Sequence, residues 1–235
     1  MLNKVRKQLN NIKRSNYVTN GILLISSFMY LLLTFNGGSE NLYTLIQYGA
    51  KVNEYIYLGD WWRLISPMFL HIGLVHFAFN SLIIYFLGSE IENFIGHFRF
   101  FLLYMASGIM GNLASFALNQ SVSAGASTAI FGLFASTIVL AKFYPYHSGI
   151  QHLSRNYVTL IALNILFGLF SSNIDNAGHF GGLLGGYLIM YAISSKNAMN
   201  NPKKKRILYG FLYLLLFVVL YLIGFFRMEQ LYAMN

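Results

Sequence analysis

The sequence predicts an all-α polytopic membrane protein of seven spans, N-terminus inside and C-terminus outside, and three observations carry that prediction. Residues are 56% hydrophobic with a mean hydropathy of +0.54, above the roughly 45–50% apolar content usual for soluble chains. Only 10% are charged, against about 25% ordinarily. Thirteen of the 16 Lys and Arg residues fall on one side once the apolar segments are laid out in order, which is the bias that sets membrane orientation.

A hydrocarbon core needs about 20 predominantly apolar residues. Seven segments qualify: 18–35, 67–88, 99–119, 125–142, 156–172, 177–194 and 207–226. The first follows Lys4, Arg6, Lys7, Lys13 and Arg14 in a basic inner tail, 1–17. Such flanks also precede secretory leaders, but the apolar run is long and Phe35-Asn-Gly-Gly offers no Ala-x-Ala site, so it reads as a span. Residues 36–66 form a long outer loop carrying Trp61-Trp62-Arg63 and Tyr55-Ile-Tyr57-Leu58; aromatic loops of this kind favour the membrane interface. Glu90, Glu92 and Arg99 fall in an inner loop after the second segment. The fifth and sixth segments are short and joined by Ser171-Ser-Asn-Ile-Asp-Asn176. A basic inner loop, 195–206, holds Lys196 and Lys203-Lys-Lys-Arg206, suited to anionic headgroups. The seventh segment is followed by an outer tail, 227–235.

Composition also excludes functions. The net charge of +9 sits in short loops and tails beside apolar segments rather than in a stripe, so nucleic acid is not an expected partner. The absence of cysteine removes a thiol nucleophile, a disulfide framework and Cys-based metal sites together.

Three polar patterns interrupt the apolar segments: His76-Phe-Ala-Phe-Asn80, Gly125-Ala-Ser127-Thr and Ala177-Gly-His179-Phe-Gly-Gly. Taken singly, an intramembrane Ser is a helix-packing residue, and a His with an Asn one turn on bridges two helices. The topology changes their weight, because the second, fourth and sixth segments all enter from the outer side. Ser127 and His179 each lie about two residues from a segment start, and so at one depth given a rise of 1.5 Å per residue. Serine and histidine are the minimum for nucleophilic acyl transfer. His76 and Asn80 share a face of the second segment, lie about 10 and 14 residues in, and are types that stabilise an oxyanion. In the sixth segment Gly178, Gly181, Gly182, Gly185 and Gly186 recur at spacings of four, which lets helices approach closely.

Other chemistries fit less well. No His-Glu-x-x-His is present. Asp60 and Asp175 are the only aspartates, both in outer loops, so no carboxylate pair forms. A metal held by His71, His76 and His179 would have no carboxylate or thiol beside it, and neither metal nor cofactor is expected.

Taken in order, Trp62-Arg63, His71-x4-His76-x3-Asn80, Glu92-x3-Gly96, Gly125-x-Ser127 and Ala177-Gly-His179-x2-Gly182 resemble the rhomboid intramembrane serine proteases over roughly residues 18–194. The resemblance implies a six-helix catalytic core with a seventh, C-terminal transmembrane helix, in the cell membrane, acting on transmembrane protein substrates. It implies Ser127 as nucleophile and His179 as general base, with His76, Asn80 and the Ser127 N–H as oxyanion donors. Phe131 would pack against His179, and Gly125 would allow close approach before the helix. Thr128 departs from the family pattern, which has glycine after the nucleophile; a β-branched residue there would crowd the substrate or stiffen the turn. An inactive relative that binds transmembrane helices is the alternative. Asp175, four residues before His179, completes a triad on paper but reads as a helix cap.

Overall fold

The structure, a computed structural model, describes residues 16–169, 174–194, 198–199 and 201–234. The basic residues before Asn16, Lys196 and the start of the 171–176 connection lie outside the described residues. Helix α1 is Tyr17–Phe35. The segment after α1 folds into α2 (Leu42–Gln47), α3 (Asn53–Tyr57) and two 3₁₀ turns, Trp61–Leu64 and Ser66–Phe69. Next come α4 (Gly73–Ile83), a π-helical turn Ile84–Gly88, α5 (Ser89–Ile95) and α6 (His97–Leu118). The chain ends with α7 (Ser127–Phe143), α8 (Ser148–Leu169), α9 (Asn176–Ile193) and α10 (Lys203–Ala233).

Among the described residues, four helical runs are long and apolar enough to cross a membrane: Tyr17–Phe35, Gly73–Ile95, His97–Leu118 and Lys203–Ala233. The apolar α7, 17 residues long, is shorter. Helix α9 is diluted by Asn176, His179 and its glycines. Large apolar side chains such as Leu24, Phe28, Leu74, Val75, Val218 and Leu222 are exposed on α1, α4 and α10. Contiguous apolar surface of this kind faces lipid in a membrane protein.

Several boundaries differ from the sequence reading, for local reasons. The second span starts at Gly73 rather than at 67: Ser66-Pro67 begins a 3₁₀ turn, and Gly73 has φ +75°, which closes off helix before it. Downstream, the helical run continues to Ile95, so Glu90 and Glu92 lie in α5 and not in a loop. Glu92 is fully buried and accepts from Val18 N at 3.0 Å, Thr19 N at 2.8 Å and Thr19 Oγ1 at 2.6 Å. A carboxylate thus satisfies first-turn N–H groups of α1, whose own Asn16 makes no side-chain cap. Helix α8 begins at Ser148, eight residues before the expected 156. Lys203–Arg206 form the first turn of α10, which runs through most of the expected tail 227–235.

The core is α9 packed against α6 and α7, with α10 covering α6 and α9. A Cβ on Gly182 would collide with the Thr128 carbonyl, and one on Gly186 with the Gly132 backbone. Backbone-to-backbone contact of α9 with α7 therefore depends on those two glycines. Between α1 and α4, Arg63 is buried and ties the connecting segment together. Its Nη1 donates to Ile46 O at 2.8 Å and Ala50 O at 3.0 Å, its Nε to Asp60 Oδ2 at 3.0 Å, and its guanidinium lies over the rings of Tyr55 and Trp62.

Candidate active site

Helices α4, α7 and α9 begin at the same end of the bundle, and each brings one polar group there. Ser127 is the first residue of α7, while His179 and His76 are the fourth residues of α9 and α4. At 1.5 Å per residue the three lie within about 5 Å of their helix starts. The later start of α4 removes the depth mismatch that the sequence boundaries suggested for His76.

His179 Nε2 and Ser127 Oγ are 2.9 Å apart, within hydrogen-bonding range. The Phe131 ring stacks on the His179 imidazole, centroids 4.1 Å apart and planes 13° from parallel. Phe131 sits one turn after Ser127 on the same face of α7, so one helix presents both the hydroxyl and the plate behind the imidazole. Gly125 has φ +150° and donates its N–H to Pro67 O at 2.9 Å. A Cβ there would lie 2.6 Å from His76 Cε1 and 3.7 Å from Ser127 Oγ. The missing side chain is what lets the His76 ring approach the turn before Ser127. Asn80 Nδ2 donates to His76 O at 2.8 Å, which commits one of its two amide protons to its own helix.

A cavity of about 860 Å³ takes in all six residues singled out from the sequence: His76, Asn80, Gly125, Ser127, Phe131 and His179. Ala126, the residue before α7, supplies no side-chain cap. The first-turn N–H groups beginning at Ser127 are thus left without a capping side chain at the cavity. Among the described residues, no group of three or more His, Cys, Asp or Glu is placed to hold a metal ion. His71 is fully buried, edge-on to His76 at 5.5 Å between centroids.

Thr128 is almost fully buried. Its side chain fills the space between α6 and α9: Cβ atoms on Gly111 and Gly178 would lie 2.6 Å from Thr128 Cβ and 3.1 Å from its Cγ2. Asp175 caps α9, its Oδ1 accepting from Gly178 N at 3.0 Å. Burial alone would raise its carboxyl, but hydrogen bonds from Ser115, Asn119 and Gly178, together with the Lys51 charge, hold it below its ordinary value. Sequence reading missed Lys51, Asn53 and Asn119, which surround this cap. The available signal was a lone lysine on the outer side.

The sequence matches the rhomboid domain family model over residues 58–196. It is 41% identical over 180 residues to the rhomboid protease GluP of Bacillus subtilis, covering 75% of this chain and 34% of that protein. Identity is 35% over 179 residues to the B. subtilis putative rhomboid protease YdcA, covering 74% of this chain and 87% of the relative. The rhomboid protease AarA of Providencia stuartii is 31% identical over 197 residues, 73% of this chain and 69% of its own length. The chain thus spans about a third of GluP but most of YdcA. With several apolar helices and a family match over more than half its length, this multi-pass membrane protein belongs to the rhomboid family.

Proposed function

We propose that the protein is an intramembrane serine endopeptidase that cuts transmembrane proteins within or near the outer end of their membrane segment. The contact of His179 Nε2 with Ser127 Oγ at 2.9 Å is the observation that carries this reading. In the proposed reaction His179 takes the hydroxyl proton as Ser127 Oγ attacks the scissile carbonyl. His179 then returns the proton to the leaving amine, and water hydrolyses the acyl-enzyme by the reverse roles. The oxyanion would be met by the Ser127 N–H at the uncapped start of α7, by His76 and by the second amide proton of Asn80. No acid orients the imidazole in this scheme; the Phe131 plate does so. Seven spans, N-terminus inside and C-terminus outside, in the cell membrane, would place the cavity at the outer face within reach of water. A substrate helix hides its own carbonyls, so helix-destabilising residues at that level favour cleavage.

The test is reconstitution with a labelled transmembrane substrate, comparing wild type, Ser127→Ala and His179→Ala. Cleavage in wild type that is lost in both variants is the expected result. Equal cleavage in all three would overturn the dyad. Helix binding without cleavage in any would favour a non-proteolytic binder.

A further inference from the structure

Lys51 is fully buried although it belongs to the outer segment. Its Nζ donates to Asn53 Oδ1 at 3.0 Å and to Asn119 O at 2.9 Å. Asn53 Nδ2 reaches Asn119 O at 3.0 Å and Phe116 O at 3.3 Å. Both side chains thus satisfy carbonyls at the C-terminal end of α6, where a cation is favoured. Asn119 in turn donates Nδ2 to Asp175 Oδ1 at 2.9 Å, the oxygen that caps α9 at Gly178 N, while Asp175 O accepts the His179 N–H at 3.0 Å. Lys51 also pairs its backbone with Ser123, in both directions, at 2.8 and 3.2 Å. Ser123 lies four residues before Ser127, and Asp175 four before His179.

We propose that Lys51 is a positioning residue for the dyad: its backbone holds the segment leading into Ser127, and its buried ammonium, through Asn119, ties the Asp175 cap of the His179 helix to the same point. One residue, by its backbone at Ser123 and its side chain at Asn119, thereby joins the two backbone entries that must agree for Ser127 Oγ to meet His179 Nε2. The charges facing it are Asp175 before α9 and Glu54 on α3, and Arg227 of α10 binds the neighbouring Ala117 carbonyl. Burial pulls the Lys51 amine down to about 8, against the opposing pull of Asp175 and Glu54. The ammonium that completes the lock is therefore present at neutral pH and lost in mild alkali.

The activity arm of the test rests on the protease reading; a second arm does not. In the full-length protein, Lys51→Met, Asp175→Asn and the double variant are compared by the rate of fluorophosphonate labelling of Ser127 per folded molecule, and by amide exchange at Gly178 and His179. Lys51→Met is expected to slow labelling by on the order of 10²-fold and to raise exchange at those two amides about fivefold, leaving mid-α6 and mid-α7 amides unchanged. The double variant is expected to label no more slowly than the slower single one. Wild-type labelling should decline above about pH 8, and labelling of Lys51→Met should not. Wild-type rates in Lys51→Met, or losses that multiply in the double variant, would overturn the proposal. If Lys51→Met does not fold, the double variant, which buries no unpaired charge, is compared with Asp175→Asn: equal rates support the lock, and a further loss overturns it. A wild type that is never labelled, with the exchange effect intact, would sink the protease reading and leave the lock standing.

Discussion

Thr128 shows how one side chain can be legible in type and illegible in direction. Its departure from the family's glycine is visible in the sequence, but whether it faces substrate depends on where helix α7 begins. With Ser127 as the first residue, Thr128 turns toward Gly111 and Gly178, and its buried Oγ1 has no hydrogen-bond partner among the described residues. An orphan buried hydroxyl is a cost that an isosteric methyl removes. Thr128→Val is therefore expected to keep Ser127 labelling and to match or exceed wild-type stability, by up to about 1 kcal/mol. Thr128→Gly, which restores the family residue, leaves a void between three helices and adds flexible backbone. It should lose about 2 kcal/mol. Thermal melts in detergent and labelling rates check both variants; a Gly variant that is more stable and faster would mean that the side chain obstructs the site. Ser127, His179 and His76 were legible because their residue types are costly in an apolar segment, and Phe131 only through the family resemblance. Lys51 and Asn119 were not, because a lysine or asparagine in a connecting segment is ordinary until the fold engages it.

The same contrast holds for elements. The positions of the apolar segments follow from composition, whereas their starts follow from capping and turn geometry that spans the whole chain. No local signal in α1 announces that its first N–H groups will be satisfied by Glu92, 74 residues away from Val18. The start of α9 is different, since Asp175 stands where a cap belongs and its carboxylate accepts from Gly178 N. The lowering of its pKa has a thermodynamic sign. A carboxyl held below its unfolded value makes the folded state bind fewer protons than the unfolded state around that range. Its stabilisation is then fully present above the unfolded value near 3.8 and is lost as pH falls through the folded one. Wild-type melting temperature should thus drop more steeply below pH 4 than that of Asp175→Asn, while the variant is the less stable of the two at pH 7. Parallel acid limbs for the two proteins would mean that Asp175 adds no net stabilisation to the cap.

At the scale of the molecule, the arrangement that brings three polar residues to one end depends on the direction of each helix, and only the charge asymmetry speaks to direction in the sequence. Hydropathy alone is a weaker guide, because two of the three helices that build the site are not plain membrane spans: α7 is short, and α9 exchanges apolar bulk for glycines that let it touch α7. Those features serve close packing around Ser127 and His179, and they cost the two helices the length and hydropathy of a plain membrane span. Orientation can be tested directly because the natural chain has no cysteine, so each introduced thiol is the single reactive one. Ser121→Cys lies in the exposed loop before α7, Lys204→Cys in the exposed first turn of α10, and Tyr232→Cys near the end of α10. With the N-terminus inside, a membrane-impermeant maleimide added to intact spheroplasts should label positions 121 and 232 and reach 204 only after permeabilisation. Lys and Arg near the inner ends resist translocation, so the basic turn at 203–206 is the strongest determinant of how α10 inserts. Labelling of 204 together with 121 from outside would place both ends of the α7–α9 segment on one side, a result incompatible with α7, α8 and α9 all crossing as spans. Labelling of 204 alone would invert the whole molecule and open the Ser127 cavity toward the cytoplasm.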